Sequence, residues 1–250
     1  MSIPMHTQDI PHLTTEQMVE VDRAMIEDYH IELIQMMENA GRNLAQLARM
    51  RFLDGHPGGK DVVVLAGTGG NGGGAMVCAR RLHNWGANVH VFITAPDEDY
   101  TGVPAHQLDI LRRLQVDISS PPEGILDAKG ASTPRLTIDG VIGYSLSGAP
   151  RGSAAELIRW ANAGRAPVLA LDTPSGVDTT RGKVFDPATR ATATLTLALP
   201  KRGLFGPDVN EHVGELYLAD ISVPPGLYAR EPLNIQVGNL FGSGDIIRLK

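Results

Sequence analysis

Asp61–Ala75 reads DVVVLAGTGGNGGGA, in which an apolar run leads directly into a glycine-rich turn. Asp61–Ala66 is continuously apolar after its first residue, which is typical of a strand buried on both faces. Gly67, Gly69 and Gly72 satisfy the pattern GxGxxG, and glycines let backbone amides approach phosphate oxygens at the start of a helix. The stretch predicts a phosphate-binding loop of nucleotide type, with an unliganded tight turn as the simpler alternative.

Strand-like and helix-like segments alternate on the C-terminal side of this loop. This alternation predicts a largely parallel sheet with helices on both faces, and such sheets bind ligands at the carboxyl ends of their strands. The predicted strands are Asn88–Thr94, Leu136–Ile142, Val168–Leu171 and Ala193–Leu197, and the predicted helices lie near Met76–Leu82, Ala105–Leu114 and Ala154–Ala163.

Two helices are predicted before the loop. Thr14 and Gln17 have the spacing of a capping box at the start of the first helix. The second helix runs from Leu33 to Phe52, and its Met-rich side favours core packing or a subunit interface over a cofactor site. Residues 1–12 are interpreted as an N-terminal arm.

The remaining stretches give no sign of a second domain. Pro121–Gly124 and Pro224–Gly226 are short, so we interpret them as loops rather than linkers. We therefore expect residues 13–250 to form a single domain.

Composition narrows the class of protein. The net charge of −6 disfavours nucleic-acid binding, and the basic pairs Arg80–Arg81 and Lys201–Arg202 are interpreted as solvated surface residues. The single cysteine, Cys78, suits a reducing compartment and is expected to be a buried structural thiol. The eight histidines show no metal-ligand spacing, and no apolar run reaches membrane-spanning length. We expect a cytoplasmic protein without zinc or membrane contact.

Two further loops follow predicted strands and contain candidate functional side chains. Asp139 and Asp172 each end an apolar strand, where a carboxylate is costly unless it is paired, hydrogen-bonded or metal-bound. Turn formation or capping is the structural alternative for both. Ser175 is either a helix cap or a ligand-binding hydroxyl.

An ordinary dehydrogenase is disfavoured by the end of the second strand. A dinucleotide site of that type needs an acidic residue there to hold a ribose. This strand instead ends in Ile93–Pro96, and Asp97 arrives late. No His or Tyr is placed obviously as a proton relay.

Six segments in chain order resemble the YjeF N-terminal family, the NAD(P)H-hydrate epimerases, from Thr14 to about Pro224. They are MMENAG (Met36–Gly41), GTGGNGGGA (Gly67–Ala75), the loop Asp139–Gly152, LDTPSGVD (Leu171–Asp178), LALPKRGL (Leu197–Leu204) and GELYLADISVP (Gly214–Pro224). The resemblance implies a Rossmann-like three-layer α/β/α sandwich with a mainly parallel central sheet. It implies an isomerase that interconverts the R and S forms of hydrated NADH and NADPH, NAD(P)HX, at C6.

The resemblance also implies roles for particular residues. One potassium ion per subunit would be bound by Asn71, Asp139 and Ser175, whose hard oxygen donors suit a hard ion. We expect Asp172 to be the general acid/base and Asp139 to organise the site with its cation. The substrate-binding residues would be Gly70, Asn71, Gly72, Gly73, Gly74, Gly143, Tyr144, Ser145, Leu146, Ser147, Gly148, Ala149 and Asp172.

A non-catalytic binding scaffold of the same fold is the alternative. The family usually reads GPGNNGGDG at the glycine loop, whereas this chain has Gly74 at the acidic position. Ser147 stands where many members have Lys or Arg. The resemblance further implies a homodimer, and we expect any NAD(P)H-hydrate dehydratase partner to be a separate chain.

Overall fold

One eight-stranded sheet runs through the part of the chain that the computed structural model describes, residues 3–120 and 133–250. The strands are β1 (Asp61–Ala66), β2 (Asn88–Ile93), β3 (Asp117–Ser119), β4 (Leu136–Gly140), β5 (Val168–Leu171), β6 (Ala193–Leu197), β7 (Glu215–Ala219) and β8 (Ile246–Arg248). Their order is β3-β2-β1-β4-β5-β6-β7-β8, and all neighbours are parallel except β7 and β8. The predicted loop at Pro121–Gly124 lies outside the described residues.

The helices pack on the two faces of this sheet. They are α1 (Thr15–Glu27), α2 (Leu33–Arg51), α3 (Gly70–Asn84), α4 (Gly102–Arg113), α5 (Gly152–Ala163), α6 (Asn210–Val213) and α7 (Pro225–Tyr228). Short 3₁₀ turns cover Asp97–Asp99, Arg202–Leu204 and Pro207–Val209. The prediction of a three-layer α/β fold with a mainly parallel sheet is confirmed.

Strand β1 shows how the sheet separates two cores. Val62 and Val64 pack into the cluster that α2, α3 and α4 cover, whereas Leu65 packs into the cluster that contains Leu157 of α5. Successive side chains of a strand point to opposite faces, so a run of apolar residues serves both layers. This explains why β1 is apolar without alternation.

The strand order places a crevice between β1 and β4. The order 3-2-1-4-5-6 is that of doubly wound sheets, whose ligands bind where the connections diverge. Gly67 follows β1 and Val141 follows β4, and a Cβ on Gly67 would lie 2.0 Å from the Val141 carbonyl oxygen. The segments that follow β1 and β4 therefore leave the sheet in close contact at this edge.

The N-terminal region is tied to the same domain. Thr14 caps α1, and the predicted capping box with Gln17 is present. Leu13 is fully buried, and its backbone accepts a hydrogen bond from the N–H of Arg202 at 2.9 Å. His6 donates its backbone N–H to the Arg248 carbonyl of β8 at 2.9 Å.

Several boundaries differ from the prediction for local reasons. Strand β4 ends at Gly140 rather than Ile142, because the Asp139 carboxylate accepts the N–H of Val141 at 3.2 Å and turns the chain away. β3, β7 and β8 were not predicted as strands. In the described residues, no helix has the length and apolar character needed to cross a membrane.

Candidate functional site

A cavity of about 650 Å³ opens at the carboxyl ends of the central strands. Its walls come from the turn after β1, the loop after β4, and single residues after β5 and β6. Helices α1 and α2 contribute apolar side chains to its mouth. Its lining includes Met18, Asp22, Ile26, Gly70, Asn71, Gly143, Tyr144, Ser145, Asp172 and Lys201.

The glycine turn presents the start of α3 to this cavity. Gly69 is the N-cap, so the backbone amides of Gly70, Asn71 and Gly72 are first-turn amides without intrahelical acceptors. Gly70 and Asn71 line the cavity, as predicted for the substrate loop. A helix N-terminus with free amides and a positive dipole end favours an anion such as phosphate.

The next glycines serve close packing beneath this turn. A Cβ on Gly73 would lie 2.5 Å from the Met37 sulfur, and one on Gly74 would lie 2.8 Å from Cδ2 of Leu171. Gly72, Gly73 and Gly74 are absent from the described lining of the cavity. Gly74 stands where the family usually has an acidic residue, and here Leu171 occupies the space beside it.

Gly72→Ala is expected to destabilise the fold by about 1–3 kcal/mol, because it overpacks a tight contact. The new Cβ would lie 1.8 Å from the Gly67 carbonyl oxygen, so the turn would have to open. Gly70→Ala is the matched control, since its Cβ would meet only the Met37 methyl group at 3.8 Å. Urea unfolding of both variants checks this, and equal midpoints would contradict it.

Asp139 and Ser175 meet below the cavity, as the sequence predicts for strand-end residues. The Ser175 hydroxyl donates to Asp139 Oδ1 at 2.7 Å, and its backbone N–H donates to Oδ2 at 2.9 Å. The N–H of Ile142 donates to the Ser175 hydroxyl oxygen at 2.8 Å, so Ser175 bridges two loops rather than capping a helix. Burial raises the pKa of Asp139, and the hydrogen bonds from Ser175 oppose this rise.

Asn71 adds a third polar side chain close to this pair of loops. Its Nδ2 atom is buried and has no hydrogen-bond partner within the described residues. A Cβ on Gly143 would lie 3.4 Å from Asn71 Oδ1, so the glycine leaves room for the amide. The buried Nδ2 group is a hydrogen-bond donor, so it suits an acceptor group of a bound ligand.

Asp172 lines the cavity beside a buried cation. Lys201 is fully buried, and its amine donates to Asp172 Oδ1 at 2.5 Å and to the Leu197 carbonyl at 2.8 Å. Asp172 has φ +63°, a left-handed conformation that a non-glycine residue adopts only when its surroundings hold it there. The interpretation of Lys201 as a solvated surface residue was wrong, because its amine neutralises a carboxylate in the interior.

Tyr144 brings a second carboxyl group into the site. Its hydroxyl donates to Asp22 Oδ2 at 2.5 Å, and both residues line the cavity. Burial raises the pKa of Asp22 and also that of Tyr144. Sequence analysis missed Asp22, although a carboxylate at four-residue spacing from Met18 and Ile26 is a signal that was available.

The loop after β4 is divided between cavity and surface. Gly143, Tyr144 and Ser145 line the cavity, whereas the other predicted residues are not in its described lining, and Ser147 is exposed. Those remaining residues are Leu146, Ser147, Gly148 and Ala149. The loop supplies backbone and Tyr144 rather than a cation to the site.

The structure also shows where the α2 methionines, Cys78 and Asp97 lie. Met36 and Met37 are each 4% exposed and also line the cavity, so they belong both to the core and to the candidate site. Cys78 is fully buried, and burial raises its pKa, as expected of a structural thiol. Asp97, after β2, pairs with Arg112 of α4 at 2.8 Å instead of entering the cavity.

The fold and this cavity define a Rossmann-like α/β domain with its site at the switch point. The sequence model of the family described as YjeF-related protein N-terminus matches residues 33–203, which is more than half of the chain. The chain therefore belongs to this family. The crystal structure of yeast ynu0, YNL200c, has the same fold, with a TM-score of 0.80 at 23% identity. The match covers 96% of this chain and 100% of that chain.

Similar proteins include epimerases and bifunctional repair enzymes. The chain is 41% identical over 244 residues to an NAD(P)H-hydrate epimerase of Dehalogenimonas lykanthroporepellens, covering 97% of this chain and 94% of the relative. It is 36% identical over 225 residues to a bifunctional NAD(P)H-hydrate repair enzyme Nnr of Salinibacter ruber, covering 86% of this chain. This chain spans only 41% of that bifunctional relative.

Proposed function

We propose that this chain is an isomerase that interconverts the R and S epimers of hydrated NADH and NADPH at C6. The observation that supports this most strongly is the Asp172–Lys201 ion pair inside a cavity that begins at the glycine turn. A nucleotide phosphate would bind the first-turn amides of α3 at one end. The hydrated nicotinamide ring would then lie toward Asp172.

Epimerisation requires either loss and return of the C6 hydroxyl or opening and closing of the ring at C6. Both routes need a group that exchanges a proton with the C6 oxygen. Asp172 is our candidate general acid/base, because it lines the cavity and the amine of Lys201 holds its carboxylate in position. Lys201 also balances the charge of the buried Asp172 carboxylate.

A potassium ion fits the polar group beneath the cavity. Asn71, Asp139 and Ser175 offer amide, carboxylate and hydroxyl oxygens, which are hard donors suited to a hard cation. Asn71 Oδ1 is the amide atom that would face the ion, because the unpartnered Nδ2 is a hydrogen-bond donor and suits an acceptor of the substrate. The ion would supply positive charge beside the substrate, and these three residues would hold it and orient the loops after β4 and β5.

A non-catalytic scaffold of the same fold remains the second candidate. Leu171 adjoins Gly74 where an acidic side chain is expected, and the exposed Ser147 replaces an expected cation. These features remove two charged groups from the substrate loops. The retained Asp172–Lys201 pair favours catalysis.

Partners follow from the proposed reaction. The small-molecule partner would be the nicotinamide nucleotide hydrate, which is the substrate rather than a cofactor. An NAD(P)H-hydrate dehydratase would consume the epimerised product, and the relatives named bifunctional NAD(P)H-hydrate repair enzymes support a second repair activity of this kind. We further propose a homodimer, which size-exclusion chromatography with light scattering would test.

A coupled assay tests the function. The protein is mixed with the R hydrate and an S-specific dehydratase, in potassium buffer and in a matched buffer without potassium. We expect consumption of the R form to exceed the spontaneous rate, and to be faster with potassium. Consumption at the spontaneous rate in both buffers would favour the scaffold, and equal acceleration in both would reject the potassium site alone.

A further inference from the structure

Helix α1 places one carboxyl group among apolar side chains at the cavity. Met18, Asp22 and Ile26 follow each other at four-residue spacing, so they lie along one side of the helix, and all three line the cavity. A carboxyl group at such a position is costly unless it has a partner or a function. The proposed function assigns the acid/base step to Asp172, and it gives the Asp22 carboxyl group no role.

Hydrogen bonds fix Asp22 relative to the loops of the site. The Tyr144 hydroxyl donates to Asp22 Oδ2 at 2.5 Å, and the Tyr144 carbonyl accepts the Thr179 hydroxyl at 3.3 Å. At the start of the same helix, the hydroxyl oxygens of Thr15 and Thr179 lie 2.9 Å apart. These contacts join α1 to the loop after β4 and to the loop that contains Asp172.

The two carboxyl groups have different surroundings. Asp172 faces the amine of Lys201, which only donates hydrogen bonds. Burial raises the pKa of Asp22, the hydrogen bond from the Tyr144 hydroxyl and the charge of Lys201 lower it, and the charge of Asp172 raises it, with burial the largest effect. The charge of Asp22 also helps to raise the pKa of Tyr228 in α7, which burial raises most. Carboxyl groups whose environments differ in this way are suited to opposite acid and base roles.

Inversion by loss and return of the C6 hydroxyl needs acid/base function on both faces of the ring. When the hydroxyl leaves, an acid protonates it, the C6–O bond breaks with its electron pair going to water, and the N1 lone pair forms the C6–N1 double bond. Water then adds to the other face, its oxygen pair forms the new C6–O bond, and a carboxylate there takes the proton. Nothing is oxidised or reduced, and no proton is gained or lost overall.

Building on the proposed epimerase function, we propose that Asp22 is a second general acid/base residue that serves the face of C6 opposite to Asp172. Asp22 comes from α1 and Asp172 follows β5, so the two carboxyl groups enter the cavity from different elements. Tyr144 is a positioning residue for Asp22 through its hydroxyl hydrogen bond.

Exchange of the C6 hydroxyl oxygen with water distinguishes the residue that serves one face of the ring from the residue that serves the other. Each pure epimer is incubated in H₂¹⁸O with the wild type, Asp22→Asn or Asp172→Asn, and both ¹⁸O content and epimer ratio are followed. We expect Asp22→Asn to slow epimerisation by about 100-fold or more, the usual effect of losing a general acid/base. Each variant should still exchange oxygen into one epimer, and the two variants into different ones.

Other outcomes have distinct meanings. Asp22→Asn that epimerises normally, or that loses oxygen exchange in both epimers while still binding the nucleotide, would overturn the proposal. Glu27→Gln removes an exposed carboxylate from the same helix and should behave as the wild type. If the wild type itself does not interconvert the epimers, the proposed function fails, which this experiment distinguishes from a failure of Asp22 alone.

The pH dependence of the wild type gives a test that needs no variant. One carboxyl group must be protonated and the other ionised, so we expect kcat to rise and then fall with pH. The alkaline fall should reflect Asp22, which keeps its proton to higher pH because burial raises its pKa. The groups facing it are Tyr144, Asp172, Lys201 and Tyr228. A kcat profile with a single ionisation would overturn the proposal.

Discussion

Asp172→Asn is expected to slow epimerisation by about 100- to 10,000-fold, the usual range for loss of a general acid/base. Asparagine keeps the shape of the side chain and an oxygen that can accept from Lys201, so the loss should appear in kcat rather than in KM. Steady-state kinetics with each epimer checks this.

The control for this variant is an aspartate outside the cavity. Asp109 lies on α4 and pairs with Arg113 at 2.7 Å on the surface, so Asp109→Asn should retain full activity. A folded Asp172→Asn protein with wild-type kcat would remove Asp172 from the chemistry and favour a binding role for the domain.

Lys201→Met is expected to lower the free energy of unfolding by about 3–5 kcal/mol, the usual cost of removing one partner of a buried ion pair. Lys201 is fully buried, and Asp172 is 3% exposed, so the remaining carboxylate would lose its cation in the interior. Methionine fills a similar volume, which isolates the loss of charge from the loss of packing.

The matched control is Lys60→Met. Lys60 also donates to the Leu53 carbonyl, but its partner Asp54, at 2.8 Å, is 68% exposed and stays solvated without it, so the pair contributes about 1 kcal/mol or less. The double variant Lys201→Met, Asp172→Asn should recover part of the lost stability, because it leaves no unpaired charge. Equal unfolding midpoints for the two lysine variants would contradict the role assigned to Lys201.

The central sheet could be predicted because its strands are buried on both faces. β1, β5 and β6 have the predicted bounds, since each is an apolar run closed by a turn or a polar residue. β3 and β8 contain three residues each, too few to show a period in the sequence. β8 is also antiparallel at the sheet edge, a pairing that depends on tertiary contacts.

The candidate site was predictable where it follows strands and hidden where it depends on distant elements. Asp139 and Asp172 come directly after apolar runs, so the sequence places them at one edge of the sheet. Asp22 and Lys201 enter from α1 and from the turn after β6, and only tertiary contacts bring them together. The sequence feature that pointed to Asp22 was its position beside the buried side of a helix. The feature that pointed to Lys201 was its position within LALPKRGL.

The most direct measurement starts from each pure epimer of the hydrated nucleotide and follows the ratio of R to S with time. We expect both samples to reach the same ratio, at a rate proportional to protein concentration and far above that of buffer alone. Asp172→Asn should return the rate close to that of buffer. Identical time courses with and without the wild-type protein would contradict the assignment of this domain as an epimerase.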